Sequence, residues 1–423
     1  MKGKPGVRHS FMIKDILRSR KLLLLVVAAG MVLFYVCLSA RSVPAALTVT
    51  RKSTTFVAKR PAEPCQSNHD AGFLTAIASK LVDASGCRVY LTGVNWFGFE
   101  TSSFAPHGLG VRNWQAMLKQ MAQLGFNTLR LPFSDQLFDP SSVPQGINYR
   151  LNPDLRGLHG LALMDKIIEG ARKAGLRVIL DHHDASADER SAFWYDAAYP
   201  QSRWIDDWVM LARHYRGNDT VIGADLDNEP HYPATWGDDN PYTDWRLAAE
   251  QAGDAILAVN RDWLIIVQGI DLYQGDSYWW GGNLEGAAKH PVVLSIRDKL
   301  VYSAHDYGPS VYDEQWFKVS SPAVLTQTLP ALWDRHWGYL QKDGIAPLFV
   351  GEFGGPSMGG DLEGVWQRTL ISYLHTQGIS YAYWAWNADS GDTGGILQSD
   401  WKTVNQGKMS ALSAYQWPLL GQP

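Results

Sequence analysis

Cysteine is nearly absent, with three residues in 423. That is too few for a disulfide framework, so a buried core has to hold the fold, and a chain of this length can bury one. Charged residues are sparse at 19% against 46% hydrophobic, which excludes a disordered or collagen-like chain. Positive charge is missing from most of the sequence. Residues 1–21 carry seven Lys or Arg against Asp15, and residues 41–63 carry five against Glu63, so the net charge of −4 conceals −14 over residues 64–423. Phosphate affinity needs basic surface, and nucleic acid is therefore set aside as a partner. A zinc-type ligand spacing is also lacking. His182 and His183 stand side by side, but adjacent residues of one strand face opposite ways and cannot share an ion. The acidic loop at residues 389–395 lacks a calcium-loop pattern and reads as a turn. Aromatic residues, in contrast, are plentiful: 18 Trp and 18 Tyr.

Only one long apolar run occurs. Residues 22–40 are 19 consecutive uncharged, mostly apolar residues between Lys21 and Arg41, about 28 Å as a helix and close to the hydrocarbon thickness of a bilayer. The basic segment 1–21 before it keeps the N-terminus cytoplasmic and sends the following chain outward. The run is long for a cleaved secretory signal, yet small residues near Ala40 and Ala45 offer cleavage sites. A membrane-spanning anchor and a signal helix both remain open, and export follows from either, to the cell surface, the periplasm or the medium. Residues 41–66, rich in Ser, Thr, Pro and Lys, read as a linker. Cys65 and Cys87 are free to pair in an oxidising compartment.

From residue 88 onward, short β-branched or aromatic segments alternate with longer helical patterns. Strands are expected at 89–94, 127–131, 177–180, 222–226, 263–267, 300–304, 347–351 and 381–385. Helices are expected at 113–124, 162–174, 204–215, 245–259 and 323–340, with one short helix after the eighth unit. Such alternation implies parallel strands with right-handed crossovers. Eight units predict an α/β fold, a single (β/α)8 TIM barrel over residues 67–420. A doubly wound sheet is disfavoured because no glycine-rich phosphate fingerprint follows any strand.

A TIM barrel builds its site from the C-terminal ends of its strands. Those ends carry Asn95-Trp96, Arg130, His182-His183, Asn228-Glu229, His305-Asp306-Tyr307, Glu352 and Trp384-Ala385-Trp386. Seven of eight are charged, amide-bearing or aromatic. A lone glutamate after a strand is usually a cap or a surface residue. Two at facing strand ends, Glu229 and Glu352, match the carboxylate pair that glycoside hydrolysis requires. Tryptophans in the loops, Trp96, Trp279, Trp280 and Trp386, offer flat faces for sugar rings, whereas Trp204 and Trp245 on helices are expected in the core.

The strings NTLRLPF (127–133), LDNEP (226–230), YSAHDYG (302–308) and GEFGG (351–355) resemble glycoside hydrolase family 5. NWFGFET (95–101), GDSYWWGGNL (275–284) and WNADSGDTGGIL (386–397) resemble its bacterial endo-β-1,4-glucanase subgroup, and the similarity covers residues 72–415. The resemblance implies hydrolysis of internal β-1,4-glucosidic bonds with retention. In that role Glu229 is the acid/base and Glu352 the nucleophile, supported by Arg130, His183, Asn228, His305 and Tyr307. It implies sugar contacts from Trp96, Trp280 and Trp386, a β-glucan substrate, no metal or organic cofactor, and a monomer that meets a membrane only through residues 22–40. Two departures stand out. Cysteines common in the subgroup after strands one and three are replaced by Ser102 and the stretch 185–188, and the family's arginine after strand three is His182.

Overall fold

Eight parallel strands close on themselves in the computed structural model, which describes residues 72–319 and 321–420. They are β1 (Thr92–Asn95), β2 (Thr128–Ser134), β3 (Arg177–Asp184), β4 (Val221–Asp225), β5 (Leu264–Gln268), β6 (Leu300–His305), β7 (Leu348–Glu352) and β8 (Ser380–Tyr383). Each pairs with the next in sequence, and β8 pairs with β1 to complete the barrel. All eight expected strands are present. The first is divided, because Arg88–Val89 joins Thr75–Ile77 and Lys80–Val82 in a small antiparallel sheet before the barrel begins.

Helices α1 (Trp114–Gln123), α2 (Gly160–Ala174), α3 (Gln201–His214) and α4 (Trp245–Val259) follow β1 to β4. After β6 come α5 (Pro322–Trp333), a π-helical segment (Asp334–Gly338) and α6 (Tyr339–Lys342), where the sequence predicts one continuous helix. Helices α7 (Leu362–Gln377) and α8 (Gln406–Ser413) follow β7 and β8. Side chains of Asn113, Asp244, Ser321, Asp361 and Asn405 accept from backbone N–H groups in the first turns, supplying partners those donors lack within the helix. Among the described residues no α-helix lies between β5 and β6. That connection instead folds back as a hairpin of Leu272–Tyr273 against Asp276–Ser277.

Alternation along the strands sorts side chains into two populations. One set, such as Leu129, Leu131, Val178 and Leu180, packs against the helices, where the expected core residues Trp204 and Trp245 are fully buried. The other includes Ile179, Leu264, Ile266, Val301, Phe349 and Ala382, joined by Leu74, Leu81 and Val89 of the small sheet. The barrel members of this set lie within the first three residues of their strands. The same strands carry polar side chains further along, so the barrel is packed with hydrocarbon beneath its chemistry.

Among the described residues no helix is long and apolar enough to cross a membrane. The segments 1–21, 22–40 and 41–66 fall outside them. Cys87 is disulfide-bonded, and its partner also falls outside the described residues.

Phe349 is wholly buried in the lower layer. Phe349→Ala is expected to cost about 3–5 kcal/mol of stability, the range for a deleted core aromatic. Urea unfolding measures this, and the folded fraction should keep its turnover number.

Candidate active site

Arg130 on β2 is completely buried and makes four hydrogen bonds and a further ion pair. Nε donates to Asp225 Oδ2 at 2.8 Å, Nη1 to Asn95 Oδ1 at 3.0 Å and to Glu352 Oε1 at 2.6 Å, and Nη2 to Asn228 Oδ1 at 2.9 Å. Nη2 also lies 2.8 Å from Asp181 Oδ1. Strand register assembles this layer. Asn95 pairs across from Arg130, and Asp181 from Asp225. Burial opposes the arginine's charge, but Asp181, Asp225 and Glu352 outweigh it and hold the guanidinium protonated. Burial pushes the carboxyls of Asp181 and Asp225 up to about 6, against the pull of Arg130.

The two glutamates of the sequence reading stand above this layer in different surroundings. Glu352, at the end of β7, is 3% exposed. It accepts from Arg130 and, at 2.5 Å through Oε2, from the Tyr307 hydroxyl. Glu229 follows β4 with a backbone φ of 55°, a left-handed conformation uncommon for a residue with a side chain. Its N–H donates to Gln268 Oε1 at 2.8 Å. Gly281, with φ of 65°, lies against it, and a Cβ there would meet Gln268 Oε1 at 2.6 Å and the Glu229 Cα at 3.1 Å. Glu229 Oε1 lies 2.9 Å from His305 Nδ1. Burial raises the Glu229 pKa above the ordinary carboxyl value. Burial also lowers His305 to about 4, which leaves the imidazole neutral beside it. One carboxylate oxygen of each glutamate and a ring nitrogen of His305 lie within 4.8 Å of one another.

His183 Nδ1 is 2.7 Å from Asp181 Oδ2, and the Asn228 amide reaches its Nε2 at 3.3 Å. Burial lowers its pKa, consistent with a neutral ring that donates to Asp181 and accepts from Asn228. The adjacent His182 faces away. It lies between Asp227, at 2.7 Å from Nδ1, and Asp135, at 3.3 Å from Nε2. Despite burial, these two acids raise its pKa well above the ordinary value. A buried imidazolium thus sits where the subgroup has an arginine, outside the site.

A cavity of about 460 Å³ opens over this constellation, lined by His183, Glu229, Glu352, Tyr307, Trp279, Trp280 and Trp384 among others. Trp280 is 40% exposed and stacks on His231 with ring centroids 3.7 Å apart.

Two of the expected sugar contacts are corrected. Trp96 and Trp386 are both fully buried and neither lines the cavity. The Trp96 indole donates to the His107 carbonyl at 3.0 Å, and the Trp386 backbone N–H bonds to the Asn95 carbonyl at 2.8 Å, turning its ring into the core. The tryptophan that faces the cavity is Trp384, which stacks with His183 at 5.6 Å and with Phe97 at 5.4 Å. It precedes a cis peptide bond to Ala385. Trp384 continues the alternation of Ser380 and Ala382, but Trp386 shares that parity, so the pattern does not choose between them.

A family model described as cellulase (glycosyl hydrolase family 5) matches residues 82–390. The chain belongs to glycoside hydrolase family 5. It is 49% identical over 355 residues to an endoglucanase of Paenibacillus polymyxa, covering 82% of this chain and 88% of that one. It is 42% identical over 339 residues to the major extracellular endoglucanase of Xanthomonas campestris, covering 79% and 69%. Among solved structures, a hyperthermophilic endocellulase from Pyrococcus horikoshii superposes with a TM-score of 0.77 at 41% identity, covering 82% of this chain and 99% of that one.

Within this family 5 barrel, sequence reasoning found the two glutamates and their immediate partners but missed Asp181, Asp225 and Gln268. All three sit on strands at inward-facing positions; Asp181 and Asp225 lie one and three residues before strand ends that drew attention, and Gln268 closes β5, the one strand end that did not. Removing Arg130 strands buried carboxylates without a partner. Arg130→Gln is expected to destabilise the fold by about 3–5 kcal/mol, read as a lower denaturation midpoint, and to abolish turnover.

Proposed function

We propose that the site hydrolyses internal β-1,4-glucosidic bonds by a retaining double displacement, with Glu229 as acid/base and Glu352 as nucleophile. The observation that carries this reading is the spacing of the two carboxyls, whose oxygens approach within 4.8 Å. Retaining enzymes hold the pair about 5–5.5 Å apart, whereas inverting ones need about 6.5–9.5 Å to admit a water between carboxylate and sugar.

The environments divide the labour. Glu352 accepts from a guanidinium and a phenol, which hold its carboxyl in place for attack on the anomeric carbon. Glu229 is pushed up by burial and so keeps a proton for the leaving oxygen. As Glu352 bonds to the anomeric carbon, the glycosidic bond breaks and its oxygen takes the Glu229 proton. Glu229, now a carboxylate, withdraws a proton from water, which displaces Glu352 and restores the sugar configuration. Asn228, held by Arg130 and His183, presents an amide beside the cleaved sugar. Trp384 and Trp280 supply aromatic faces for glucose rings. The substrate assignment to β-1,4-glucan draws on relatives named as endoglucanases.

We place residues 1–21 in the cytoplasm, residues 22–40 as an export signal or anchor and 41–66 as a linker, with the barrel of a monomer outside. The relative named as extracellular supports export.

Carboxymethyl-cellulose, mannan and xylan discriminate the substrate. Preferential release of reducing ends from cellulose, with the β-anomer formed first by proton NMR, is expected. A first-formed α-anomer would overturn the retaining assignment. Glu352→Gln should fold normally and lose at least about 10³-fold in turnover, since effects of this size accompany loss of a residue in a catalytic unit. The acid must be protonated, so activity on cellulose falls as pH rises through the Glu229 pKa, an alkaline limb that burial places above the ordinary carboxyl range. With a dinitrophenyl cellobioside, whose leaving group needs no proton, the limb should vanish from the first step. Trp280→Ala should raise KM for soluble glucan several-fold with a smaller change in kcat, whereas Trp386→Ala should act through stability.

A further inference from the structure

The connection between β5 and β6 carries a second grouping of metal-type side chains, outside the catalytic carboxylates. Asp276 lies on the hairpin, Glu285 follows it, and His336 belongs to the π-helical segment after α5. One oxygen of each acid and a ring nitrogen of His336 lie within 4.8 Å of one another.

The histidine is the informative member. Its side chain is 1% exposed, and its Nδ1 is 2.9 Å from the Leu332 carbonyl. A carbonyl only accepts, so Nδ1 holds the ring proton and Nε2 presents a lone pair. Nε2 has no hydrogen-bond partner and points at Asp276 Oδ2, 3.6 Å away. Tyr278 stacks on the ring at 4.0 Å and fixes its plane. A buried lone pair that faces a partly covered carboxylate calls for a cation. Arg335, 57% exposed, now supplies one by pairing with both Asp276 and Glu285.

We propose that Asp276, Glu285 and His336 form a binding site for a divalent transition-metal ion, with zinc favoured, and that the Arg335 guanidinium holds the place of the ion when it is absent. One imidazole and two carboxylates suit zinc or its first-row neighbours rather than calcium, which takes oxygen ligands. Bonds of about 2.0–2.2 Å in a tetrahedron put ligand atoms roughly 3.3–3.6 Å apart, the separation Nε2 and Oδ2 already have. A backbone carbonyl on the opposite ring nitrogen is the usual partner of a ligating histidine. Arg335 can swing into solvent, and water completes the shell. The ion fastens the base of the loop that carries Trp279 and Trp280 into the cavity, so it acts on the shape of the glucan cleft and takes no part in the chemistry.

The test uses the full chain, stripped with a chelator and desalted, then titrated with zinc, manganese, cobalt and calcium chlorides by calorimetry and elemental analysis. One equivalent of zinc or cobalt is expected to bind, with a rise in melting temperature and little response to calcium. His336→Gln and Asp276→Asn should each weaken uptake at least tenfold. Arg335→Gln, which removes the competing cation, should strengthen it. Glu352→Gln should leave it unchanged, which separates this site from the catalytic carboxylates. Failure of both the unsubstituted protein and Arg335→Gln to take up any of the ions would overturn the proposal. So would undiminished uptake by His336→Gln and Asp276→Asn, or loss of uptake in Glu352→Gln. Because Arg335 is exposed, its variant remains informative even where His336→Gln does not fold.

Discussion

A single guanidinium buried among three carboxylates organises the upper half of this barrel. Arg130 touches residues from β1, β3, β4 and β7 and the loop after β4. It therefore ties the catalytic ends of most of the strands to one point. Burying an ion is expensive, and the cost is offset only where every donor is matched. The planar fork of arginine makes that possible, whereas a lysine ammonium has neither the reach nor the number of donors. The apolar layer beneath, from Ile179 to Phe349, keeps water from competing for the same contacts.

The difference between the two glutamates follows from their distance to that charge. Glu352 is in direct contact with Arg130, while Glu229 contacts a histidine that burial keeps neutral. Opposite environments around two like groups suit the proposed division into an acid and a nucleophile. Gln268 and Gly281 hold Glu229 in its left-handed conformation, so the loop after β5 helps set the geometry of the acid. Among the described residues that connection has no α-helix to anchor it, and its hairpin and the stacked pair Tyr278–His336 take over the task.

The barrel was legible because parallel strands covered by helices are written as short apolar runs, and every one of the eight was found. Boundaries slipped where backbone pairing outranked side-chain pattern. Val89 looks continuous with the first barrel strand but pairs with Leu81 in a separate sheet. The break at the π-helical segment carried no periodic signal. In the site, residues at strand ends were legible by type, and their direction was not. Trp384 and Trp386 are equally aromatic and share one parity beyond β8, and only the turn of the chain after Tyr383 sends one to the cavity and the other to the core. Trp96 follows the same logic, since the bend after Asn95 directs it inward.

The two departures from the subgroup are resolved locally by hydrogen bonding and charge. Where the subgroup carries cysteines in the loops after β1 and β3, the Ser102 N–H donates to Asp188 Oδ2 at 2.9 Å and the Asp188 N–H to the Glu100 carbonyl at 3.1 Å. This reciprocal pair fixes the loops without a covalent link, though exposed hydrogen bonds of this kind are individually worth only about 0.5–1.5 kcal/mol. Where the arginine would stand, His182 supplies a positive charge between Asp135 and Asp227. Its backbone carbonyl also accepts from the N–H of Asn228, so the histidine braces the segment that delivers Asn228 and Glu229. An imidazolium can lose its proton where a guanidinium cannot, and the support of the acid/base is thus tied to a titratable group that the arginine-bearing relatives of the subgroup would lack.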